Sequence, residues 1–270
     1  MAEYHHLTEA DRVSVLTATV LLAYALTHLI EAPSYTLAMQ LPGIYLTFNL
    51  SLNTITIILA ACLTASGMDW LLRSHPAFSG RRTFENWLLP TLTVFIIGVA
   101  LNLIPSSPLW WLGFAAGGVL LVLVFLAEYV VLDQANPNYP FASAGLTALS
   151  FTLFLILAVV LRYASARLYL LIPALLLAAG LVCLRTIHLR LSGQWEFAWA
   201  TGISLVIMQL AAGLHYWPLT PIQFGLLLLG PLYALTSLAT SYGEGIPIRR
   251  ALVEPSVLLG LIWGIAIWVR

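Results

Sequence analysis

Two histidines and one glutamate are the residues of this chain whose types and spacing could support chemistry. His28 and Glu31 are three positions apart, so on a helix they share one face. His215 ends a later apolar segment that crosses the membrane in the same direction as the segment carrying His28, so all three residues reach the same surface. Two histidines and a carboxylate form a ligand set suited to iron or zinc. They predict a metal or catalytic site there if the two segments are neighbours.

Two other interpretations of these three residues stay open. Histidine and glutamate at helix ends commonly lie in the hydrated interface, where their polar ends hydrogen-bond to water or to each other. They could instead line a polar vestibule for a substrate. In that case Asn102, at the end of the third apolar segment, and Gln223, at the start of the eighth, could join them.

The elements that must position these residues are about nine apolar segments joined by short polar loops. A helix rising 1.5 Å per residue needs roughly 20 apolar residues to cross the ~30 Å hydrocarbon core. The segments lie at 13–31, 43–66, 87–104, 109–132, 141–162, 168–187, 196–216, 222–242 and 251–269. The sequence therefore predicts an all-α integral membrane protein: a bundle of about nine transmembrane helices in a single polytopic domain over residues 1–270.

Composition excludes several classes of function. Charged residues make up 8% of the 270 residues, against roughly 25% in soluble domains, and the formal net charge of zero gives no reason to expect a nucleic-acid partner. The chain contains no lysine, which excludes Schiff-base chemistry on lysine and a P-loop. No metalloprotease, nucleophile-elbow or dinucleotide-binding motif is present either. The sequence names no cofactor, and a single haem bound by two histidines stays open.

Arginine distribution predicts the orientation of the chain, because loops on the cytoplasmic side are enriched in cations. With a cytoplasmic N-terminus, that side carries eight of the 11 cations: Arg12, Arg73, Arg81, Arg82, Arg185, Arg190, Arg249 and Arg250. The opposite side carries the other three: Arg162, Arg167 and Arg270. The residues before the first segment lack the basic stretch of a signal peptide, so we expect that segment to be retained.

The arginines of the cytoplasmic side predict contact with lipid. We expect anionic lipid headgroups to bind Arg73, Arg81, Arg82, Arg249 and Arg250. A dedicated site for a phosphate or a lipid-linked substrate is the alternative, since arginine binds phosphate through two parallel hydrogen bonds.

Three amide side chains lie inside the predicted segments. Asn49 and Asn53 are four residues apart on the second segment, and Gln209 lies within the seventh. Because an unpaired amide is costly in hydrocarbon, we expect all three to face the interior of the bundle. They would either form hydrogen bonds between helices or line a pathway.

Glu128 is the acidic residue that lies deepest on the cytoplasmic side, and Arg185 is its natural partner. We expect a structural ion pair, with a proton relay as the alternative. No acid or base lies near the middle of any segment, which counts against an ion-coupled pump.

A Gly230–Pro231 pair interrupts the eighth segment at its centre. Pro231 has no N–H group, so the carbonyl of Leu227 loses its helical donor and the helix bends. Such a bend is either a packing kink or the broken helix of a transporter site.

Small residues on the fourth segment predict close helix packing. Gly113 and Gly117 are four residues apart, and Gly118 lies beside them. A seam between two copies of the chain is the alternative.

Three stretches resemble a known group of proteins. They are LPGIYLTFNLSLNTIT at 41–56, LTASGMDWLLRSHP at 63–76 and NWLLPTLT at 86–93. Together they resemble a group of uncharacterised bacterial multi-pass membrane proteins of unknown function. The resemblance implies a bacterial inner-membrane protein and supplies no catalytic residues.

The function that the sequence favours is non-enzymatic. We expect a permease-like or accessory protein of the cell inner (plasma) membrane that handles a small or lipid-like molecule, or a structural subunit of a larger complex. Its expected partners are the lipid bilayer, anionic lipid headgroups, and further copies of the chain or a larger membrane complex. The alternative is a membrane-embedded enzyme with His28, Glu31 and His215 at its outer face.

Overall fold

The structure, a computed structural model, describes residues 2–30, 35–41, 44–73, 84–105, 107–133, 137–191 and 195–269. Its elements in the first half are α1 (Ala2–Leu29), β1 (Tyr35–Leu41), β2 (Ile44–Leu50), α2 (Leu52–Leu72), α3 (Phe84–Leu103) and α4 (Pro108–Val131). Those in the second half are α5 (Tyr139–Tyr163), α6 (Leu168–Arg190), α7 (Phe197–His215), α8 (Pro221–Gly243), α9 (Ile248–Ala251) and α10 (Val253–Trp268).

Nine helical segments in the described part of the chain are long and apolar enough to cross a membrane, the ninth being α9 and α10 together. Each backbone N–H and C=O group in hydrocarbon needs a partner within the protein, and a helix supplies these partners locally. The prediction of a helical multi-pass membrane protein is confirmed.

The helices form two compact units, Met1–Gln134 and Ala135–Arg270. In the first unit, α1 and α3 each pack against both α2 and α4, which closes a ring of four helices. In the second unit, α8 is central and packs against α5, α6, α7 and α10. The prediction of a single domain over residues 1–270 stays a prediction.

Glycines on α4 allow close packing within the first unit. A Cβ atom added at Gly117 would lie 2.9 Å from Ile97 of α3, and one added at Gly118 would lie 3.0 Å from Leu21 of α1. The small-residue face of this helix therefore packs inside the bundle, as expected, and two adjacent glycines serve two different neighbours.

Between α1 and α2 the chain forms an antiparallel hairpin, which corrects the predicted start of the second segment. That segment was placed from residue 43, whereas α2 begins at Leu52. In the hairpin, Leu37 pairs with Phe48 and Thr36 pairs with Asn49. Apolar residues occupy every second position of both strands, which is the repeat of a β-strand. The mean hydropathy of the stretch is an average and does not show this alternation.

Candidate functional site

A cavity of about 380 Å³ opens at one end of the first unit. The up-and-down path of the chain brings the ends of α1 and α3 together with the beginnings of α2 and α4 there. The side chains that line the cavity include Tyr24, Thr27, His28, Ser51, Asn53, Ile57, Leu101, Asn102, Ile104 and Trp110. We call this cavity the vestibule.

An amide pair joins two helices at the vestibule. Asn53 Nδ2 on α2 donates a hydrogen bond of 2.7 Å to Asn102 Oδ1 on α3. Each side-chain amide has two N–H donors and an oxygen with two lone pairs, so this bond leaves further donors and acceptors on both residues. The pair can therefore hold the helices together and also bind a polar ligand.

An aromatic wall orients His28. Its ring stacks on Trp110 with a centroid distance of 3.8 Å and an interplanar angle of 12°. Trp111 contacts the same imidazole edge-on at 6.2 Å, and Trp110 also stacks on Phe114 at 5.2 Å. Because stacking uses the face of the imidazole, its two nitrogen atoms at the ring edge stay available for hydrogen bonds.

The floor of the vestibule depends on a tyrosine and a glycine. The buried Tyr24 hydroxyl donates a hydrogen bond of 2.7 Å to the carbonyl of Val94. A Cβ atom at Gly98 would lie 2.7 Å from Ile57 Cγ1 and 2.9 Å from Tyr24 Oη. Only glycine leaves room here for the tyrosine to cross from α1 to α3.

The structure brings together His28, Asn53 and Asn102 of the predicted site residues. Glu31 lies outside the described residues, and His215 belongs to the second unit. The shared site of His28, Glu31 and His215 therefore stays a prediction. Among the described residues, no group of three or more histidine, cysteine, aspartate or glutamate side chains could hold a metal ion.

Several residues that line the vestibule were not predicted from the sequence, among them Tyr24, Thr27, Ser51 and Trp110. Tyr24 is four residues before His28, so the helical repeat places both on one face of α1. That spacing could have found Tyr24. Trp110 has no such signal in the sequence, because only the packing of α4 against α1 brings its ring to His28.

Comparison with known proteins identifies the family. Residues 32–269 match the family described as "Protein of unknown function (DUF5656)". The chain belongs to the DUF5656 family. The expected membership of an uncharacterised family is thus confirmed, and no curated protein or solved structure matches the chain. In this DUF5656 protein, Asn53, Asn102 and Trp110 lie inside the matched range, whereas Tyr24 and His28 precede it.

Two of the predicted polar interior residues lie elsewhere in the DUF5656 chain. Asn49 lies on β2, opposite Thr36, and not on a transmembrane helix. Gln209 is exposed on α7, although we expected it to face the interior. Ile207 of α7 is buried, and a residue two positions away lies about 200° around the helix. The packing of Ile207 therefore turns Gln209 outward.

Gln223 has a local role at the beginning of α8. The backbone N–H of Thr220 donates a 3.0 Å hydrogen bond to Gln223 Oε1, and the backbone N–H of Gln223 donates one of 3.3 Å to Thr220 Oγ1. These two bonds form a capping box. They give Gln223 a role in the helix cap, and its place in a vestibule or pathway stays a prediction.

Pro231 is buried where α8 packs against α10. Trp263 Nε1 of α10 donates a hydrogen bond of 3.3 Å to the carbonyl of Leu227, the group that loses its helical donor to the proline. A Cβ atom at Gly230 would lie 3.0 Å from Leu259 of the same helix. These contacts account for the Gly230–Pro231 pair as a packing site for α10.

The deepest carboxylate of the first unit has an amide partner. Asn86 Nδ2 on α3 donates a hydrogen bond of 2.9 Å to Glu128 Oε2 on α4, and both residues are buried. Arg185, also buried, belongs to the second unit. The ion pair between Glu128 and Arg185 stays a prediction.

The structure describes three of the five arginines predicted to contact lipid headgroups. Arg73 forms an ion pair of 2.7 Å with Asp69, one turn earlier on α2. Arg249 and Arg250 are exposed on α9, and Arg81 and Arg82 lie outside the described residues. Their contact with anionic lipid stays a prediction.

Proposed function

We propose that this DUF5656 protein is a permease-like or accessory membrane protein that binds a small or lipid-like molecule in the vestibule. The observation that carries the proposal is the convergence of the Asn53–Asn102 amide pair and the His28–Trp110 stack on one open cavity. Polar groups that serve only packing between helices need no cavity beside them.

The lining of the vestibule indicates the chemistry of the ligand. None of the described side chains around it is a carboxylate, an arginine or a lysine. Amides, hydroxyls and an imidazole offer both donors and acceptors, whereas Ile57, Leu101 and Ile104 add apolar surface. This combination favours an uncharged or weakly charged molecule with one polar end and an apolar part.

We also propose the membrane in which the protein lies, its orientation and its partners. The excess of arginine on one side of the predicted bundle supports an N-terminus in the cytoplasm. The resemblance to uncharacterised bacterial multi-pass membrane proteins supports a bacterial inner (plasma) membrane. The lipid bilayer, anionic headgroups, and further copies or a larger membrane complex are the proposed partners.

Identification of retained small molecules tests the proposal. The full chain is purified in lipid nanodiscs, and bound compounds are extracted and identified by mass spectrometry. Asn102→Leu removes the amide pair, whereas Gln209→Leu removes an exposed amide and is the matched control. We expect one compound to be retained by wild type and Gln209→Leu and lost from Asn102→Leu.

A second variant keeps the test valid if Asn102→Leu destabilises the fold. His28→Phe keeps an aromatic ring beside Trp110 but removes both imidazole nitrogens. We expect His28→Phe to retain less of the compound than wild type at equal thermal stability. If Asn102→Leu and His28→Phe both retained as much of the compound as wild type, the proposal would be contradicted. Stoichiometric iron or zinc whose binding depends on His215 would also contradict it.

A further inference from the structure

A second cavity, of about 560 Å³, lies at one end of the second unit. There α5 and α7 end and α6 and α8 begin. Arg162, Tyr163, Ser165, Arg167 and His215 are among its lining residues. We call this cavity the basic pocket.

Protein contacts orient the guanidinium group of Arg162. Arg162 Nη1 donates a hydrogen bond of 2.9 Å to the carbonyl of His215, and Nη2 donates one of 2.9 Å to the carbonyl of Trp217. The group also lies 5.4 Å from the centroid of the Phe224 ring. An arginine carries five N–H donors, so these two bonds leave further donors on a group whose direction is already set.

A tight turn brings Arg167 to the same pocket. The N–H of Ala166 donates to the carbonyl of Leu161 at 3.1 Å, and that of Ser165 donates to the carbonyl of Arg162 at 3.1 Å. Ser165 has a φ of 49°, so these bonds form a Schellman motif with its left-handed residue at Ser165. The chain reverses within a few residues, and Arg167 becomes the N-cap of α6.

The charge at this end of the second unit is positive. The carboxylates of the unit, Glu196, Glu244 and Glu254, lie at the opposite end, where α7 and α10 begin and α8 finishes. The beginnings of α6 and α8 add partial positive charge from their backbone dipoles. Two of the three arginines expected on this membrane side therefore line one cavity that has no acidic residue in its described lining.

His215 is also among the residues that line the pocket. In the part of the chain that the structure describes, its Nδ1 atom is buried and has no hydrogen-bond partner. Burying a polar atom without a partner is costly.

We propose that the basic pocket binds a phosphate group through Arg162 and Arg167. The planar guanidinium group matches the geometry of phosphate oxygens, and the orientation of Arg162 by two carbonyls lowers the entropy lost on binding. The phosphate belongs either to the headgroup of an anionic lipid or to free inorganic phosphate. This site is independent of the vestibule and its ligand.

Binding of two probes to the purified full chain in detergent tests the proposal. Native mass spectrometry measures the binding of phosphatidylglycerol, with diacylglycerol as the phosphate-free lipid, and titration calorimetry measures the binding of inorganic phosphate. Arg167→Gln removes one cation of the pocket, and Arg190→Gln removes one from the opposite end of the same helix. For whichever phosphate probe binds, we expect Arg167→Gln to raise its Kd about tenfold and Arg190→Gln to leave its Kd unchanged.

The two probes distinguish the sources of the phosphate. Binding of phosphatidylglycerol alone assigns the pocket to a lipid headgroup, whereas binding of inorganic phosphate that displaces the lipid assigns it to the free ion. Arg162→Lys, which keeps the charge but loses the planar fork, is expected to bind more weakly in either case. No binding of either probe, or binding by Arg167→Gln equal to that of wild type, would overturn the proposal.

Discussion

Single side-chain hydrogen bonds between neighbouring helices shape the vestibule. The Asn53–Asn102 pair joins α2 to α3, and the Tyr24 hydroxyl joins α1 to the backbone of α3. A membrane helix gains little from burying apolar surface against another helix, because lipid tails are equally apolar. Polar bonds and close packing therefore carry much of the association, and their loss is measurable.

The amide pair gives the first prediction, which concerns stability. Asn102→Leu removes the hydrogen bond and leaves Asn53 without this partner, so we expect the free energy of unfolding to fall by about 1 kcal/mol. Gln209→Leu replaces an exposed amide and is expected to leave stability unchanged or to raise it. Thermal unfolding of both variants in one detergent measures the difference. Equal losses would show that Gln209 also has a partner.

Residue chemistry predicted part of this site. Depth in the membrane indicated that Asn53 matters, because isolated amides there are costly. Asn102 was predicted as a vestibule residue because it ends the third apolar segment. Their pairing did not follow from the sequence, since it depends on α2 and α3 being neighbours. Gln209 shows the opposite case. The same reasoning predicts that Gln209 faces the interior of the bundle, whereas the packing of Ile207 turns it outward.

The contact between α8 and α10 decides the interpretation of Pro231. A proline in mid-helix leaves one carbonyl without a donor, and Trp263 supplies that donor from the neighbouring helix. A broken helix that binds substrate would leave the carbonyl for the substrate. The observed bond gives it a structural partner.

A double-mutant cycle tests this account. Trp263→Phe removes the indole N–H, and we expect a loss of about 1 kcal/mol in the free energy of unfolding. Pro231→Ala restores the helical N–H to the carbonyl of Leu227, so in that background Trp263→Phe is expected to cost much less. The same cost in both backgrounds would mean that Trp263 acts through packing alone.

Glycine at close helix crossings gives a second prediction for the elements. A Cβ atom at Gly225 of α8 would lie 2.8 Å from both Leu155 and Val159 of α5. We expect Gly225→Val to lower the free energy of unfolding by about 1–3 kcal/mol. Gly145 of α5 has no atom within 4 Å of its added Cβ, so Gly145→Val is the matched control and is expected to be neutral. A neutral Gly225→Val variant would contradict the observed packing of α5 against α8.

Element boundaries were predicted well where helices are bounded by proline and less well at the hairpin. α4, α5 and α8 begin at or beside Pro108, Pro140 and Pro221, close to their predicted limits. The high mean hydropathy of residues 43–50 predicts a helix there, whereas the structure has strand β2 at Ile44–Leu50. Hydropathy does not distinguish a helix from a strand, whereas the two-residue alternation in this stretch does.

Nine apolar helical segments in the part of the chain that the structure describes define the molecule. The sequence predicts about this number because a lipid-exposed backbone must be helical. Helix neighbours are harder to predict. Faces toward lipid and faces toward protein are both apolar, so hydropathy does not show which helices pack together. The grouping of the helices into two units emerged only from the structure.

Orientation in the membrane is a prediction at this scale and rests on the arginine distribution. Single cysteines replacing Gly80 and Gly193 are expected to be shielded from an impermeant thiol reagent in intact cells. A cysteine replacing Ser106 is expected to react. The native Cys62 and Cys183 are replaced by serine in all three variants. Labelling of the cysteine at position 80 in intact cells would show that the chain has the opposite orientation.

Solvent access to the floor of the vestibule decides whether the vestibule is an open polar site. Ile57 and Ile58 are adjacent on α2 and lie at nearly the same depth. Ile57 lines the vestibule and is 7% exposed, whereas Ile58 is 51% exposed on the outer face of the bundle. If the vestibule is an open polar site, a hydrophilic thiol reagent reaches position 57 through water, while lipid surrounds position 58.

We expect Ile57→Cys to react faster than Ile58→Cys in membranes, although Ile57 is the less exposed residue. Both variants carry Cys62→Ser and Cys183→Ser, so that each has one thiol. Rates of modification by a small charged methanethiosulfonate give the comparison. An unreactive Ile57→Cys variant, or a faster reaction at position 58, would contradict the presence of an open vestibule.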